Sequence, residues 1–280
     1  MNFDILQKPE TSGNQREQYR WFYRICEILN DIGNLIALGA GLLVKTATGA
    51  YTVRTITGTA TEVDVTDGSG VSGNPTIGLP TVISTPRSFG DGTNQTTFEA
   101  DGTMKFEGTA TVWNDINLSI GSLRSGASAP GTWTIPGTGI ILSTFGGSGP
   151  QQDAYGSLEI LHDYKEGSDI VPHIHWSPTT TGAGNVVWQL EYSWVNGGGI
   201  VTSSTTIIVT VAANGVVAKE ERSNFPTIPG AGKTIGSRFL FHLFRDSAHV
   251  SDTYGSDAAA FDFGIHYERD TTGSRQITTK

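Results

Sequence analysis

The chain has 280 residues, a net charge of −9, one cysteine, 36 glycines and only 16% charged residues. Its length allows one large core or two small ones, its glycines follow no collagen period, and its apolar content is too high for a disordered chain. Both halves share the acidic balance and neither carries a basic stripe, so a nucleic-acid partner is not expected, while a lone Cys26 excludes an intrachain disulfide.

The opening "MNFDILQKPETSGNQREQ" lacks the basic-then-apolar order of a signal peptide. The longest apolar stretch, "IGNLIALGAGLLV" at 32–44, is too short and too glycine-broken to span a bilayer. No membrane insertion is expected, and synthesis in the cytoplasm is. Residues 1–14 read as an extended tail broken by Pro9, Ser12 and Gly13, whose apolar Phe3, Ile5 and Leu6 seek a partner.

Residues 15–38, within an oligomerisation segment 15–45, read as a helix. Phe22, Ile25, Leu29, Ile32 and Ile36 recur at spacings of 3 and 4 and form one apolar seam. Asn14 and Glu17 suit a capping box, and Gly39 a stop. The segment that follows offers no broad apolar face, so the seam is expected to close on copies of itself as a short coiled coil. Burying such side chains contributes roughly 1.5–3 kcal/mol each.

Residues 46–125 read as a Gly/Thr-rich region of short strands. Tyr51, Val53 and Thr55 alternate, Val63 and Val65 resume the pattern, and Asp67-Gly68, Gly73-Asn74 and Pro75 mark turns. "FEADGTMKFEG" reads as a hairpin about Asp101-Gly102. Strands this short bury little alone and gain from intertwining with neighbouring chains. Residues 126–150, with "APGTWTIPGTG" and "FGGSGP", read as a Gly/Pro-rich connector. From 151 to 280 the strands lengthen: "GSLEILHDY", "DIVPHIHWSP", "NVVWQLEYSWV", "TTIIVTVA", "SRFLFHLFRD" and "FDFGIHYERD". That series predicts an antiparallel β-sandwich or jelly roll, and the chain as a whole is mainly β.

All six histidines lie in this last region. His173 and His175, two apart, share a strand face and could reach one ion, as in the metal motif of the cupins. The glutamate of that motif would fall at Thr179 or Thr180, and its second half is missing, although His242 or His266 could supply a third ligand. The alternatives are a structural strand facing the sheet or another chain, and a structural ion shared between chains. His173, His175 and His266 are therefore weak metal candidates, and no metal, cofactor or catalytic residue is assigned. "PGAGKT" (229–234) has its glycines too close for a phosphate loop and reads as a turn. Trp176, Trp188 and Trp194, with Tyr164, Tyr192 and Tyr254, are either core or a sugar-stacking surface.

Two stretches resemble known families. "GAYTVRTITGTATEVDVTDGSGVSGNPTIGLP" resembles a segment of tailed-bacteriophage fibre and virion structural proteins. "GTATVWNDINLSIGSL", "LHDYKEGSDIVPHIHW" and "DFGIHYERDTTGSRQ" are similar to another phage structural family. Together they cover about 46–80 and 108–280; the Gly/Pro-rich 125–150 departs from both patterns. The resemblance implies a non-enzymatic virion protein: a homotrimeric tail or head fibre, with its N-terminus docked on other virion proteins. Its C-terminal domain would face outward, with a host surface glycan or receptor as a further partner. A capsid decoration protein is the alternative, and a cupin-like metal-dependent enzyme the second.

Overall fold

The computed structural model describes residues 15–47, 50–83 and 85–280; Phe3, Ile5, Leu6 and the capping Asn14 lie outside the described residues. The chain divides into two compact units, Met1–Ser84 and Thr85–Lys280.

In the first unit the expected helix forms as α1 (Gln15–Ile36). It unwinds where Ala37 N donates to Gly33 O (3.0 Å) and Leu38 N to Leu35 O (3.3 Å), just before Gly39. Strands β1 (Leu42–Ala47) and β2 (Ala50–Arg54) form a hairpin, with Val44 opposite Thr52. The following segment offers the helix no broad apolar face, but β2 does contact α1, and Trp21, Ile25, Ile28 and Leu35 are half-buried. The rest of the seam stays in solvent: Phe22 is 58%, Leu29 59%, Ile32 45% and Ile36 77% exposed. Strands β3 (Asp64–Thr66) and β4 (Thr76–Gly78) pair around the predicted turns, where Gly70 adopts φ +70° and donates to Asp67 O at 2.7 Å. No described residue of this unit is buried.

The second unit opens with a three-stranded antiparallel sheet of β5 (Arg87–Gly90), β6 (Gln95–Phe98) and β7 (Met104–Glu107). Its second hairpin is the predicted one: Phe98 faces Met104, and Gly102 turns the chain at φ +85°. Eleven further strands follow: β8 (Val112–Ser119), β9 (Arg124–Ser125), β10 (Gly131–Thr134), β11 (Ile141–Phe145), β12 (Asp153–Glu159), β13 (Ile170–Pro178), β14 (Asn185–Val195), β15 (Thr205–Ala212), β16 (Glu221–Asn224), β17 (Arg238–Arg245) and β18 (Ala258–Arg269). They build two sheets. The first runs β10-β11-β18-β13-β16, with β8 paired to the remaining length of β18; the second runs β15-β14-β17-β12-β9. Their inner faces meet in a core where Trp176 lies 6.0 Å from Trp188 and Phe241 4.4 Å from Phe263. This is an antiparallel β-sandwich.

Two boundaries differ from the sequence reading. The sandwich does not start at 151, because β8 pairs along β18 from Val112↔Arg269 to Ser119↔Asp262. Nor is 126–150 a connector. "GTWT" and "ILSTF" pair as β10 and β11, and β11 continues onto β18. Pro136 and Gly137 form the tight turn between them: Ile135 N donates to Ile140 O at 2.9 Å, and Gly137 takes φ +76°. Here Gly and Pro punctuate a hairpin rather than loosen a linker.

The tryptophans also resolve against a surface role. Trp176 and Trp188 are fully buried and Trp194 is 8% exposed. Their strands alternate, and these positions point inward. Trp176 Nε1 donates to Ser223 Oγ and Trp194 Nε1 to Ser237 Oγ, both at 2.8 Å, while Trp188 Nε1 is buried with no partner among the described residues. At 150–250 Å² and about 25 cal/mol per Å², each contributes roughly 4–6 kcal/mol of transfer free energy, an upper bound. That gain explains why such rings are not left out for a ligand.

Tyr164 is fully buried, and its hydroxyl donates to Ser168 O. Burial pushes its pKa up to about 12. The unfolded chain releases this proton near pH 10, so the contribution is complete below that and is lost as pH rises through about 12. The share of alkaline destabilisation due to Tyr164 is expected to be about 2–3 kcal/mol across this window; buried Tyr267, raised further, adds its own loss, so Tyr164→Phe should make the slope shallower without removing it. An unchanged slope in the variant would contradict the assignment.

Candidate functional site

Strand β13 turns Ile170, Ile174 and Trp176 into the core, so Val171, His173 and His175 lie on the outer face of the first sheet. Register then decides their neighbours. Across to β18, Val171 stands opposite His266, His173 opposite Gly264 and His175 opposite Asp262. One strand further, His266 stands opposite Asp115 and Gly264 opposite Asn117 on β8. Two of the three weak metal candidates, His173 and His266, are thus brought together, and a carboxylate that the sequence reading did not single out joins them.

His173 is fully buried although it sits on an outer face. The cause is Gly264: a methyl there would lie 2.6 Å from His173 Cε1 and Nε2 and 2.2 Å from Asn117 Oδ1, so only glycine lets the ring settle against the sheet. His173 Nδ1 and His266 Nδ1 share a hydrogen bond of 2.8 Å. His173 Nε2 stands 3.5 Å and His266 Nε2 3.9 Å from Asp115 Oδ2, both beyond good hydrogen-bond length. Asn117 Nδ2 donates to the same oxygen at 3.0 Å. Ligand-capable atoms of Asp115, His173 and His266 all lie within 4.8 Å of one another. Burial, opposed by the Asp115 charge, pushes the His173 pKa down to about 4, leaving a neutral imidazole at neutral pH.

His175 takes another course. Its Nδ1 donates to Glu220 Oε1 at 2.5 Å, and its Nε2 is 4.0 Å from Asp262 Oδ1. Burial holds the Asp262 carboxyl above the usual range. Buried atoms of this face without a hydrogen-bond partner among the described residues include Asp115 Oδ1, His173 Nε2 and Asp262 Oδ1. The cupin analogy fails on placement, since His173 and His175 project from the outside of an open sheet and not into a barrel.

On the outer face of the second sheet lies a groove of about 270 Å³, lined by Arg124, Tyr155, Glu191, Ser204, Leu240 and His242. The Tyr155 and His242 rings stack at 4.3 Å, and both His242 nitrogens are engaged, with Asp153 Oδ1 at 2.8 Å and Glu191 Oε2 at 3.3 Å. The outward alternation of Leu240, His242 and Phe244 in "FLFHLF" is the sequence signal for this face. "PGAGKT" is a turn, as expected: Gly232 takes φ +75°, Lys233 N donates to Gly230 O at 2.8 Å, and Lys233 Nζ donates to Trp194 O at 2.5 Å.

No protein-family model and no curated protein sequence matches this chain. Among solved structures, the chain is similar to a CBM35 from Cellvibrio japonicus Abf62, with 10% identity over 58% of this chain and 99% of that one, TM-score 0.32. It is similar to a family 35 carbohydrate binding module from Clostridium thermocellum, with 9% identity over 54% and 97%, TM-score 0.33. It is also similar to the CBM36-1 domain of a xylanase from the hindgut metagenome of Trinervitermes trinervoides, with 12% identity over 55% and 96%, TM-score 0.28. At overlaps of this size the sandwich rests on its own strand order and buried faces.

Proposed function

We propose that this chain is a non-enzymatic structural protein of a tailed-phage virion, a homotrimeric fibre or appendage. The observation that carries the reading is the first unit: no described residue in it is buried, yet its helix presents Phe22, Leu29, Ile32 and Ile36 to solvent. A polypeptide with so little core is marginal alone and gains a core only by association. The 3-4-3-4 spacing of the seam makes further copies of the same helix its natural cover, and a closed symmetric ring leaves no seam unpaired. The phage-fibre resemblance of 49–80 falls on this same thin unit.

In this reading the N-terminal tail docks on other virion proteins, the helix sets the threefold register, and the sandwich faces outward. A host surface glycan or receptor is then met by exposed sandwich surface, with the Tyr155–His242 groove as the contact in place of the buried tryptophans. The test is light scattering with sedimentation velocity on the full-length chain. A mass of three chains with a high frictional ratio, falling when residues 1–45 are removed, is the expected result. A compact monomer indifferent to that truncation would overturn the reading.

A further inference from the structure

We infer that Asp115, His173 and His266 form a divalent-metal clasp, of the kind a borderline ion such as Zn²⁺ occupies, which fastens β8 to β13 and β18. The inference stands on the geometry of the sandwich alone and is independent of the virion reading.

The chemistry of the donors comes first. Two imidazoles and one carboxylate are a ligand set suited to Zn²⁺ and its first-row neighbours, with the fourth position left to water or an incoming group. Ligands held at about 2.0–2.2 Å in a tetrahedron stand roughly 3.3–3.6 Å apart. His173 Nε2 and Asp115 Oδ2 already stand 3.5 Å apart, and His266 Nε2 lies 3.9 Å from the same oxygen. His266 is partly exposed, and one ligand-capable atom from each of the three residues lies within 4.8 Å of the others.

A second observation points the same way. His173 is fully buried, and its Nε2, facing Asp115, has no hydrogen-bond partner among the described residues; nor has Asp115 Oδ1. Leaving a buried polar atom unsatisfied costs about 1–3 kcal/mol, so native structures rarely keep several side by side without a purpose. One ion would satisfy the imidazole nitrogen directly, and would engage Asp115 Oδ1 as well where the carboxylate binds it through both oxygens. The supporting layer is also present: Asn117 Nδ2 orients the carboxylate from the same strand, and Gly264 leaves the space in which the His173 ring lies.

The placement suggests what the clasp does. Within its sheet β8 pairs only with β18, while β13 is the next strand inward. An ion held by β8, β13 and β18 would link three strands from distant parts of the sequence and hold an edge strand that otherwise depends on one ladder. The role is structural, and the fourth position faces outward, open to solvent or to a donor from a partner.

The experiment uses tag-free full-length protein, stripped with a chelator, dialysed and titrated with ZnCl₂ by calorimetry, with metal content measured by mass spectrometry. One Zn²⁺ per chain is expected, with the thermal midpoint rising by about 5 °C or more at saturating ion. Asp115→Asn and His266→Gln, both at partly exposed positions, should each weaken binding more than about 100-fold, beyond what loss of an outer partner brings, and abolish the rise. His249→Gln, in the loop between β17 and β18, should keep both. Absence of stoichiometric binding, a ratio of one ion per three chains, or binding that survives in Asp115→Asn and His266→Gln would each overturn the clasp.

Discussion

Asp252→Ala is expected to destabilise the second unit by about 3–5 kcal/mol, the range for stranding one member of a buried ion pair. Arg245 and Asp252 have side chains 0% and 2% exposed, with Arg245 Nη2 2.7 Å from Asp252 Oδ1 and Arg245 Nε 2.9 Å from Asp252 Oδ2. The pair is the centre of a network. Asp252 Oδ2 also accepts from Val187 N at 2.9 Å; Arg245 Nη1 donates to Ser256 O at 2.7 Å and Phe145 O at 3.3 Å, and Nη2 donates to Tyr254 O. It therefore ties the end of β17 to β14, to β11 and to the loop before β18.

Removing the carboxylate leaves a guanidinium that cannot lose its proton and has little water within reach. The double replacement Arg245→Met/Asp252→Asn should cost less than Asp252→Ala alone, because no charge is left stranded. Urea denaturation followed by tryptophan fluorescence reads this directly, since Trp188 lies beside Phe145, whose carbonyl the arginine binds. An exposed pair such as Arg238–Glu159 is the contrast, with an expected effect of about 0–1 kcal/mol. If Asp252→Ala fell in that lower range, the network would be decorative.

How much of this was legible in the sequence depends on whether the signal is local. Strand β14 was, because "NVVWQLEYSWV" alternates Trp and Leu with Gln and Glu, and Val186, Trp188, Leu190 and Trp194 of the apolar face are buried. Strand β12 was displaced, expected over 156–164 and found at Asp153–Glu159. Ile160 and Tyr164 are buried in a turn, so apolar character marked core but not strand. Gly156, read as a strand's start, sits inside it because Phe241 packs where a side chain would be: a methyl would lie 2.4 Å from Phe241 Cζ.

The histidine site shows the same divide. Two histidines on one strand face follow from a period of two, and so does their facing away from Trp176. That His266 and Asp115 complete the cluster follows only from sheet order and register. His266 is 93 residues from His173, and the register that aligns it runs unbroken from Ile170 to His175, just before the irregularity between His175 and Trp176. The sole local hint for Asp115 is the alternation of "VWNDINLS", which puts Trp113, Asp115 and Asn117 on one face. The inward tryptophans were ambiguous for a related reason: alternation gives two faces without saying which one another sheet will cover.

On the proposed homotrimer, the helix seam depends on structure beyond one chain, and Leu29→Asp/Ile32→Asp is expected to abolish self-association. Placed on a heptad, Phe22, Leu29 and Ile36 occupy a positions, and Ile25 and Ile32 d positions; Leu at a with Ile at d favours more than two strands. Leu29 and Ile32 are 59% and 45% exposed in the single chain, so their burial is gained only on assembly. At roughly 1.5–3 kcal/mol each, losing both removes about 3–6 kcal/mol per chain, or about 10²–10⁴ in association, before the desolvation of two carboxylates is added. Light scattering should then give the mass of one chain for the double variant, against the three expected of the parent under the proposed reading. The thermal transition of the second unit, whose core contains neither residue, should stay in place. Tyr23→Asp is the control: Tyr23 is as exposed, at 68%, but lies off the seam. Dissociation by Tyr23→Asp as well, or an undiminished mass in the double variant, would mean that the helices do not meet through this seam. The first unit would then need another source for the core it lacks.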